Sequence, residues 1–579
     1  MLSKSLNGKN ASLMIQVFLV FVWLTDLSVL AGTDTYYSVY LLCGVLGIMA
    51  LCKRADRKRT LSGKQRFALA IAGGGITLAV VCANYSIFLP LYVLENAFHM
   101  ACCLAGGFCV GYSLLRWCVE QLPFRKATCE RKHALRVFLL VFLTASAINI
   151  AYLLFARYPG VLTTDSISTM EQLNTGIYDN TMPFWHTVTV GLFVKLGTAL
   201  FGNINAGVAI FHAAQILFMA GCFAFVVTTL YQIGVPNGFL LGISGIYLLM
   251  PYNIAYSVTL WKDVPFSGAI VLFLTAFYRC LRNVGNHKIG NYFALIAGGL
   301  GMCLMRTNGW YAFAVSAVVL LFFARIARRE LIAIILAITG VSWILLNPVL
   351  SMLGVKKTNM VEVFAVPMQQ VARVVAEERP LSDEEYALLD GIFRMDRLAQ
   401  AYDPQTVDPV KFECFRYDQV NRILESPWNY GKLYLQLGMR YPGDYWKAWV
   451  DETKGYWNGG YNYWIFTKGV GENDLGISAN YGANPIASAF QALFRYTEKM
   501  PMLQPLISIG LHVWALFACL LVNVLHRRRE ALLCIPIVVL VVGLWLGTPV
   551  FAEFRYAYPV FVSMPLILGA TLFAPKDAT

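Results

Sequence analysis

The chain has 579 residues, 58% of them hydrophobic and only 14% charged, with a formal net charge of +13 and a mean hydropathy of +0.58. A soluble domain carries roughly a quarter charged residues, so this balance excludes a soluble globular protein and predicts an all-α membrane protein. The basic excess is no nucleic-acid footprint: segment 350–503 holds 16 Lys+Arg and 19 Asp+Glu, a net of −3, which leaves +16 for the other loops, facing anionic lipid.

A helix needs about 20 mostly apolar residues to cross the hydrocarbon core. Such runs predict crossings near 13–31, 36–52, 67–84, 98–116, 137–156, 205–230, 238–256, 264–281, 289–305, 309–325, 330–348, 504–525, 531–548 and 556–573, about 14 in all. The first run is long enough to stay as an anchor rather than be cleaved as a signal peptide. Most cysteines, such as Cys43, Cys102, Cys103, Cys222, Cys303 and Cys519, lie in or beside these runs and read as small hydrophobes. No CxxC or HExxH pattern marks a metal site.

Sidedness follows from Lys and Arg. Basic clusters occur at Lys53–Arg66, Arg116–Arg136, Arg279–Lys288, Arg325–Arg329 and Arg527–Arg529. They share one face only if segment 186–201 does not cross, although it has the length to do so. With His186 and Lys195 in it, that segment reads as a helix lying along the interface. Both termini are then cytoplasmic. The Asp165 loop, Trp261-Lys262-Asp263, Arg306-Thr307-Asn308-Gly309, segment 350–503 and Glu553-Phe554-Arg555-Tyr556 all fall on the opposite face. The plainer reading of these pieces is that loops between helices are polar.

The chain thus divides into an N-terminal four-span region (1–136), a transmembrane core with the Asp165 loop (137–349), an extracytoplasmic, mainly helical domain (350–503) and a three-span C-terminal region (504–579). In 350–503 the spacing of Val371, Val374 and Val375 predicts a helix after Pro367. Ser382 with Glu385 makes a capping box. Asp408-Pro409, Ser426-Pro427 and Tyr441-Pro442 punctuate further helices. Between Tyr441 and Phe466, ten of 26 residues are aromatic, Trp457 among them. Such rings suit sugar faces and isoprenoid chains, or equally an interfacial aromatic belt.

Asp165 follows the Val137–Phe155 span in the Pro/Gly-punctuated stretch Tyr158-Pro159-Gly160-Val161-Leu162-Thr163-Thr164-Asp165. An acid in the first loop after a span, then an interface helix, two spans and a second acidic loop, resembles the GT-C class of integral-membrane glycosyltransferases. That class includes oligosaccharyltransferases, protein O-mannosyltransferases and aminoarabinose transferases. Tyr158-Pro-Gly…Asp165, Trp261-Lys-Asp, Arg306-Thr-Asn-Gly, Pro367-Met-Gln-Gln-Val-Ala-Arg373 and Phe554-Arg-Tyr556 resemble an uncharacterised bacterial family of GT-C-like proteins, over about residues 137–573.

The resemblance implies transfer of a sugar from a polyprenyl-phosphate carrier to an extracytoplasmic glycan, lipid or protein acceptor at the cell membrane. An acceptor hydroxyl needs a base, and Asp165 occupies the class position for it; the alternative is a helix N-cap. A departing phosphate needs cations, for which Lys262, Arg306 and Arg555 are candidates, or else residues snorkelling at the membrane edge. Asp263 orients the acceptor or a divalent cation, or simply pairs with Lys262. Asp165 and Asp263 leave room for such a cation without making a closed site. His186 stands where the class has a His-Pro-like dipeptide, but Thr187 follows it; a hydrogen-bonded structural histidine is the default. Asn308, Gln369, Gln370 and Arg373 are carried by the motif match alone. The competing reading is a transporter or flippase of a lipid-linked sugar or other envelope precursor. It would want charges at mid-membrane and related halves. Only Asp26 and His212 sit within spans, and no repeat links the halves.

Overall fold

The computed structural model describes residues 15–24, 47, 61–88, 97–121, 133–285, 288–322, 329–357, 361, 364–459, 469–500 and 503–573. The expected 36–52 crossing, Asp26, most of the first two basic clusters, and Tyr461, Tyr463, Trp464 and Phe466 lie outside those residues. Among the described residues the fold is helical throughout, and β-structure is limited to isolated bridges. This is the outcome membrane burial demands, because a helix satisfies its own backbone.

Eight described helices are long and apolar enough to cross a membrane: Gly63–Ala83, Ala97–Glu120, Ala134–Ala156, Phe184–Phe201, Ile204–Gln232, Asp263–Arg282, Arg329–Met352 and Phe554–Phe573. The chain is therefore a multi-pass membrane protein. Lys288–Leu304, Gly309–Phe322, Ile509–Leu525 and Ala531–Gly547 are apolar but shorter. One expectation needs correction. The run 238–256 is not a single rod: Asn237–Leu249 and Pro251–Ser257 meet at a 46° bend. Pro251 lacks an N–H to continue the ladder, and Met250 before it is extended, as a residue preceding proline prefers.

The chain forms two compact units. The smaller comprises Met1–Phe124, Trp457–Tyr461 and Leu520–Arg528. Its Gly63–Ala83 helix starts at a capping box, with Gln65 N–H donating to Ser62 Oγ (3.3 Å) and Ser62 N–H to Gln65 Oε1 (3.0 Å). The larger unit takes the rest. At its centre Asp263–Arg282 is buried nearly all round and packs on Ile204–Gln232, Lys288–Leu304 and Phe554–Phe573. Two hydrogen bonds tie the bent pair to the last helix: Tyr247 Oη to Val562 O (2.8 Å) and Tyr558 Oη to Asn253 Oδ1 (3.0 Å).

Most of segment 350–503 belongs to this unit and has a core of its own. Val361, Met368, Val371, Val374, Phe393, Leu398, Phe415 and Leu437 form it. The expected helices appear: Ala365–Ala376 with Val371 and Val374 buried, Asp383–Asp390 with its Ser382–Glu385 capping box, and Pro427–Arg440 and Pro442–Thr453, each opened by its proline. The later part of the segment joins other clusters instead. Ala487 packs with Tyr152 and Ile216, and Ile477 with Leu162 and Met170.

His212, one of the within-span exceptions, is fully buried under the turn that precedes the Asp165 helix. A Cβ at Gly160 would stand 2.1 Å from His212 Cε1, and Gly160 has φ +142°. Both the space and the backbone demand glycine there. Gly160→Ala should therefore destabilise the protein by about 3 kcal/mol, read as a lowered Tm of the detergent-purified chain. An unchanged Tm would refute this packing.

Candidate functional site

The Asp165 stretch is held on both sides by backbone. Val161 N–H donates to Val258 O (2.8 Å), and Leu260 N–H returns to Val161 O (3.0 Å). On the other side Leu162 N–H donates to Gly469 O (3.1 Å), and Gly471 N–H to Leu162 O (2.9 Å). Two residues thus stitch three sequence-distant loops together. Side chains complete the seam: Ser166 Oγ donates to Leu260 O (2.7 Å) and Trp261 Nε1 to Thr163 Oγ1 (2.8 Å). Gln215, reaching from the Ile204–Gln232 helix, donates to Thr259 O (2.9 Å) and Ser257 O (3.0 Å).

Thr163 is the N-cap of the Thr164–Thr175 helix, and its N–H donates to Ser166 Oγ (3.0 Å). Asp165 therefore lies in the first turn and is not the cap, which corrects that alternative. A carboxylate there is favoured by the helix dipole, and its oxygens remain available to partners outside the helix.

That partner is Arg555. Its Nη1 is 2.9 Å from Asp165 Oδ2, joining residues 390 apart, with the Asp165 side chain one-third exposed (33%). Arg306 Nη1 lies 2.6 Å from Asp263 Oδ1. This is an ion pair without hydrogen-bond angles, so both Asp263 oxygens keep their acceptor capacity. Asp263 pairs with Arg306 and not with Lys262, correcting the alternative that the neighbours pair. The Tyr556 ring carries both guanidiniums, Arg306 at 4.9 Å and Arg555 at 5.0 Å. Trp261 takes Arg555 as well, at 5.2 Å. Aromatic faces attract a cation without neutralising it, so the rings orient the guanidiniums while the carboxylates supply their counter-charge. Lys262 Nζ donates to Thr181 O (3.1 Å).

The electrostatics set two carboxylates apart. Burial pushes the Asp165 carboxyl up, but Lys262, Arg555 and Arg306 outweigh it and hold it below the ordinary range. Glu553 goes the other way: burial raises it, Arg555 opposes, and Asp263 and Asp165 add to the rise. Lys262 is lowered by burial, against the pull of Asp165 and Asp263. A pair of acids driven apart in this way can divide base and acid roles.

The loop bearing Glu553 is pinned from segment 350–503. Tyr456 Oη donates to Val550 O (2.8 Å) and accepts from Glu553 N–H (3.0 Å) and Thr548 Oγ1 (3.2 Å). Val407 N–H donates to Pro549 O (3.1 Å) and Phe551 N–H to Gln405 O (2.7 Å).

The structure thus brings Asp165, Lys262, Asp263, Arg306 and Arg555 together and adds Glu553, Tyr556 and Trp261. Sequence reasoning quoted those three within motifs but gave them no part in binding; the signal for the two rings was an aromatic beside Lys262 and beside Arg555. His186 is 2% exposed, edge-on to Phe211 at 6.3 Å. Neither ring nitrogen has a hydrogen-bond partner among the described residues, so the expected hydrogen-bonded structural histidine is not what is seen. Asn308 is exposed at the start of the Gly309–Phe322 helix.

The glutamine pair and Arg373 stay apart from this group. Gln369 Nε2 donates to Asp403 O, Gln370 Nε2 to Tyr445 O (3.1 Å), and Arg373 Nη1 to Asp451 Oδ2 (2.9 Å) and Tyr402 Oη (3.1 Å). They staple segment 350–503 internally. Trp457 is buried in the smaller unit. Among the described residues no three His, Cys, Asp or Glu stand close enough to hold a metal, and Asp165 and Asp263 each already face an arginine.

The model of a family described as "Family of unknown function (DUF6020)" matches residues 173–577. The match contains Lys262, Asp263, Arg306, Glu553 and Arg555 and begins just after the Asp165 turn. No curated protein and no solved structure matches the chain.

Because folding holds a proton on Glu553 that the unfolded chain releases, its contribution to stability is full below the unfolded value near 4.5 and is lost as pH rises through the higher folded value. Glu553→Gln should flatten the decline of Tm with rising pH above that point. Parallel pH–Tm profiles for variant and parent would refute it.

Proposed function

As a chain that belongs to the DUF6020 family, the protein has to be read from its own site, and we propose that it is an integral-membrane glycosyltransferase of the GT-C type. It transfers a sugar from a polyprenyl-phosphate donor to the hydroxyl of an extracytoplasmic glycan, lipid or protein acceptor. The observation that carries this reading is the Asp165–Arg555 pair at 2.9 Å, with Lys262 and Arg306 near enough to bear on the same carboxylate.

In the resting site Arg555 depresses the basicity of Asp165. A donor phosphate is the better partner for a planar guanidinium, and binds it bidentately. Once Arg555 turns to the phosphate, Asp165 loses its hydrogen-bonded counter-charge and becomes a stronger base. It takes the proton of the acceptor hydroxyl as that oxygen bonds to the anomeric carbon. The bond from that carbon to the phosphate oxygen breaks, and polyprenyl phosphate leaves with the electron pair, met by Arg555, Arg306 and Lys262. Asp263, with acceptor capacity left over, orients the acceptor.

The topology goes with this proposal: about 14 crossings, both termini cytoplasmic, and the site extracytoplasmic at the cell membrane. Phe184–Phe201 then lies along the interface. Two contacts support that. At its start Trp185 Nε1 donates to Leu345 O (3.3 Å), at the end of the crossing that leads into segment 350–503, and just past its end Asn205 Nδ2 donates to Ser478 O (3.2 Å) within that segment. Its exposed stripe, Val188, Leu192, Leu196 and Leu200, runs beside an exposed Lys195. A lysine is costly at mid-membrane and at home at an interface.

Asp165→Asn in a deletion host should lower the missing surface-glycan product about a hundredfold or more, measured by mass spectrometry, with the protein still inserted and folded. Full product with Asp165→Asn would remove the base assignment. Movement of a lipid-linked sugar without any change in surface glycan would favour the carrier reading instead.

A further inference from the structure

The proposed site uses the Asp263 end of the Asp263–Arg282 helix; the other end carries a charge that this function leaves unused. Arg279 is 6% exposed. Its Nε donates to Asn291 Oδ1 (2.8 Å), and its Nη1 to Gln232 Oε1 (2.5 Å) and Thr229 Oγ1 (3.1 Å). Its Cζ lies 5.1 Å from the Phe225 centroid. Every one of these partners is neutral. Arg282, three residues on, differs: it grips Glu530 through both carboxylate oxygens, at 2.6 and 2.7 Å. Glu330 is taken by Tyr292 Oη at 2.8 Å. Among the described residues no carboxylate faces Arg279.

A buried guanidinium without a counter-charge is costly, and neutral acceptors satisfy its N–H groups without cancelling its charge. They do fix its orientation, leaving Nη2 over. That nitrogen borders a pocket lined by Arg279, Asn283, Gly285, Lys288, Asn291 and Tyr292. The pocket stays open there because residue 285 is glycine: a Cβ would stand 2.7 Å from Arg279 Nη2. Lys288 is exposed at the start of its helix, with Ile289 86% and Phe293 74% exposed along the same helix. The result is one buried, pre-oriented cation, a second, exposed cation, and exposed apolar side chains alongside.

We propose that this pocket binds a phosphate-bearing ligand through Arg279 and Lys288, either the headgroup of an anionic lipid or a soluble phosphate ester. The exposed Ile289 and Phe293 favour the lipid. The inference is independent of the glycosyltransferase reading.

The test is native mass spectrometry of the full-length chain in detergent with phosphatidic acid, with diacylglycerol, which has the same chains but no phosphate, and with inorganic phosphate as competitor. Phosphatidic acid should bind about tenfold more tightly than diacylglycerol, as a charge-assisted hydrogen bond provides. Arg279→Met should abolish that preference, and Lys288→Gln should weaken it about threefold. Lys64→Gln, an exposed lysine elsewhere, should leave it unchanged. Displacement by inorganic phosphate would assign the soluble source; resistance would assign the lipid. Equal binding of the two lipids overturns the proposal, as does an Arg279→Met variant that keeps the preference. Equal loss in Lys64→Gln also overturns it. Should Arg279→Met not elute as a folded species, an unaltered preference in Lys288→Gln does the same.

Discussion

The structure of the candidate site depends on one ion pair, Arg555 to Asp165, which closes a loop of almost the whole larger unit. It joins the first turn after the Ala134–Ala156 span to the first turn of the last span. In bulk water such a pair contributes little, since screening and side-chain entropy offset the attraction. Here Asp165 is one-third exposed and Arg555 less so, and Trp261 and Tyr556 hold the guanidinium in place. The pair is therefore strong enough to organise the site and open enough to be exchanged for a ligand. A fully buried pair would be too committed to release either partner.

Side-chain attraction alone would not fix the partners within reach, and the backbone does that work. Val161 and Leu162 bond the loop before Asp263 on one side and segment 469–471 on the other. Tyr456 and residues 405–407 pin the loop before Arg555 from the same segment, 350–503. Segment 350–503 thus acts as a brace across two membrane loops as well as a domain with its own core. This explains why Gln369, Gln370 and Arg373, which sit in that core, serve its integrity and not the charge cluster.

Much of the scaffold was legible in the sequence because membrane helices are specified by long apolar runs, and those do not depend on remote contacts. The capping box at Ser382 and the proline-led helices at 427 and 442 were legible for the same local reason. The site was legible as a list of charges, but not as pairs. Whether Asp263 faces Lys262 or Arg306 depends on the angle at which two helices meet, and sequence spacing favours the adjacent residue. The break at Pro251 was readable in principle, since proline removes a backbone donor, yet an apolar window averages across it. His186 defeated local reasoning altogether. Nothing near it in sequence signals that both of its nitrogens are buried without partners among the described residues.

The Asp263–Arg282 helix now has two unlike ends, and their difference is physical. At the Asp263 end, acids and cations are matched and stacked on aromatic rings, so a bound ion competes with partners already present. Binding there is an exchange, which suits a substrate that must leave after reaction. At the Arg279 end the guanidinium is held by amides, a hydroxyl and an aromatic ring, so among the described residues an anion would displace no charged partner. Binding there would be an addition, limited by access and not by competition. A site of the second kind favours retention over turnover, so the proposed reactive centre at one end of the helix and the proposed anion site at the other do not require the same chemistry.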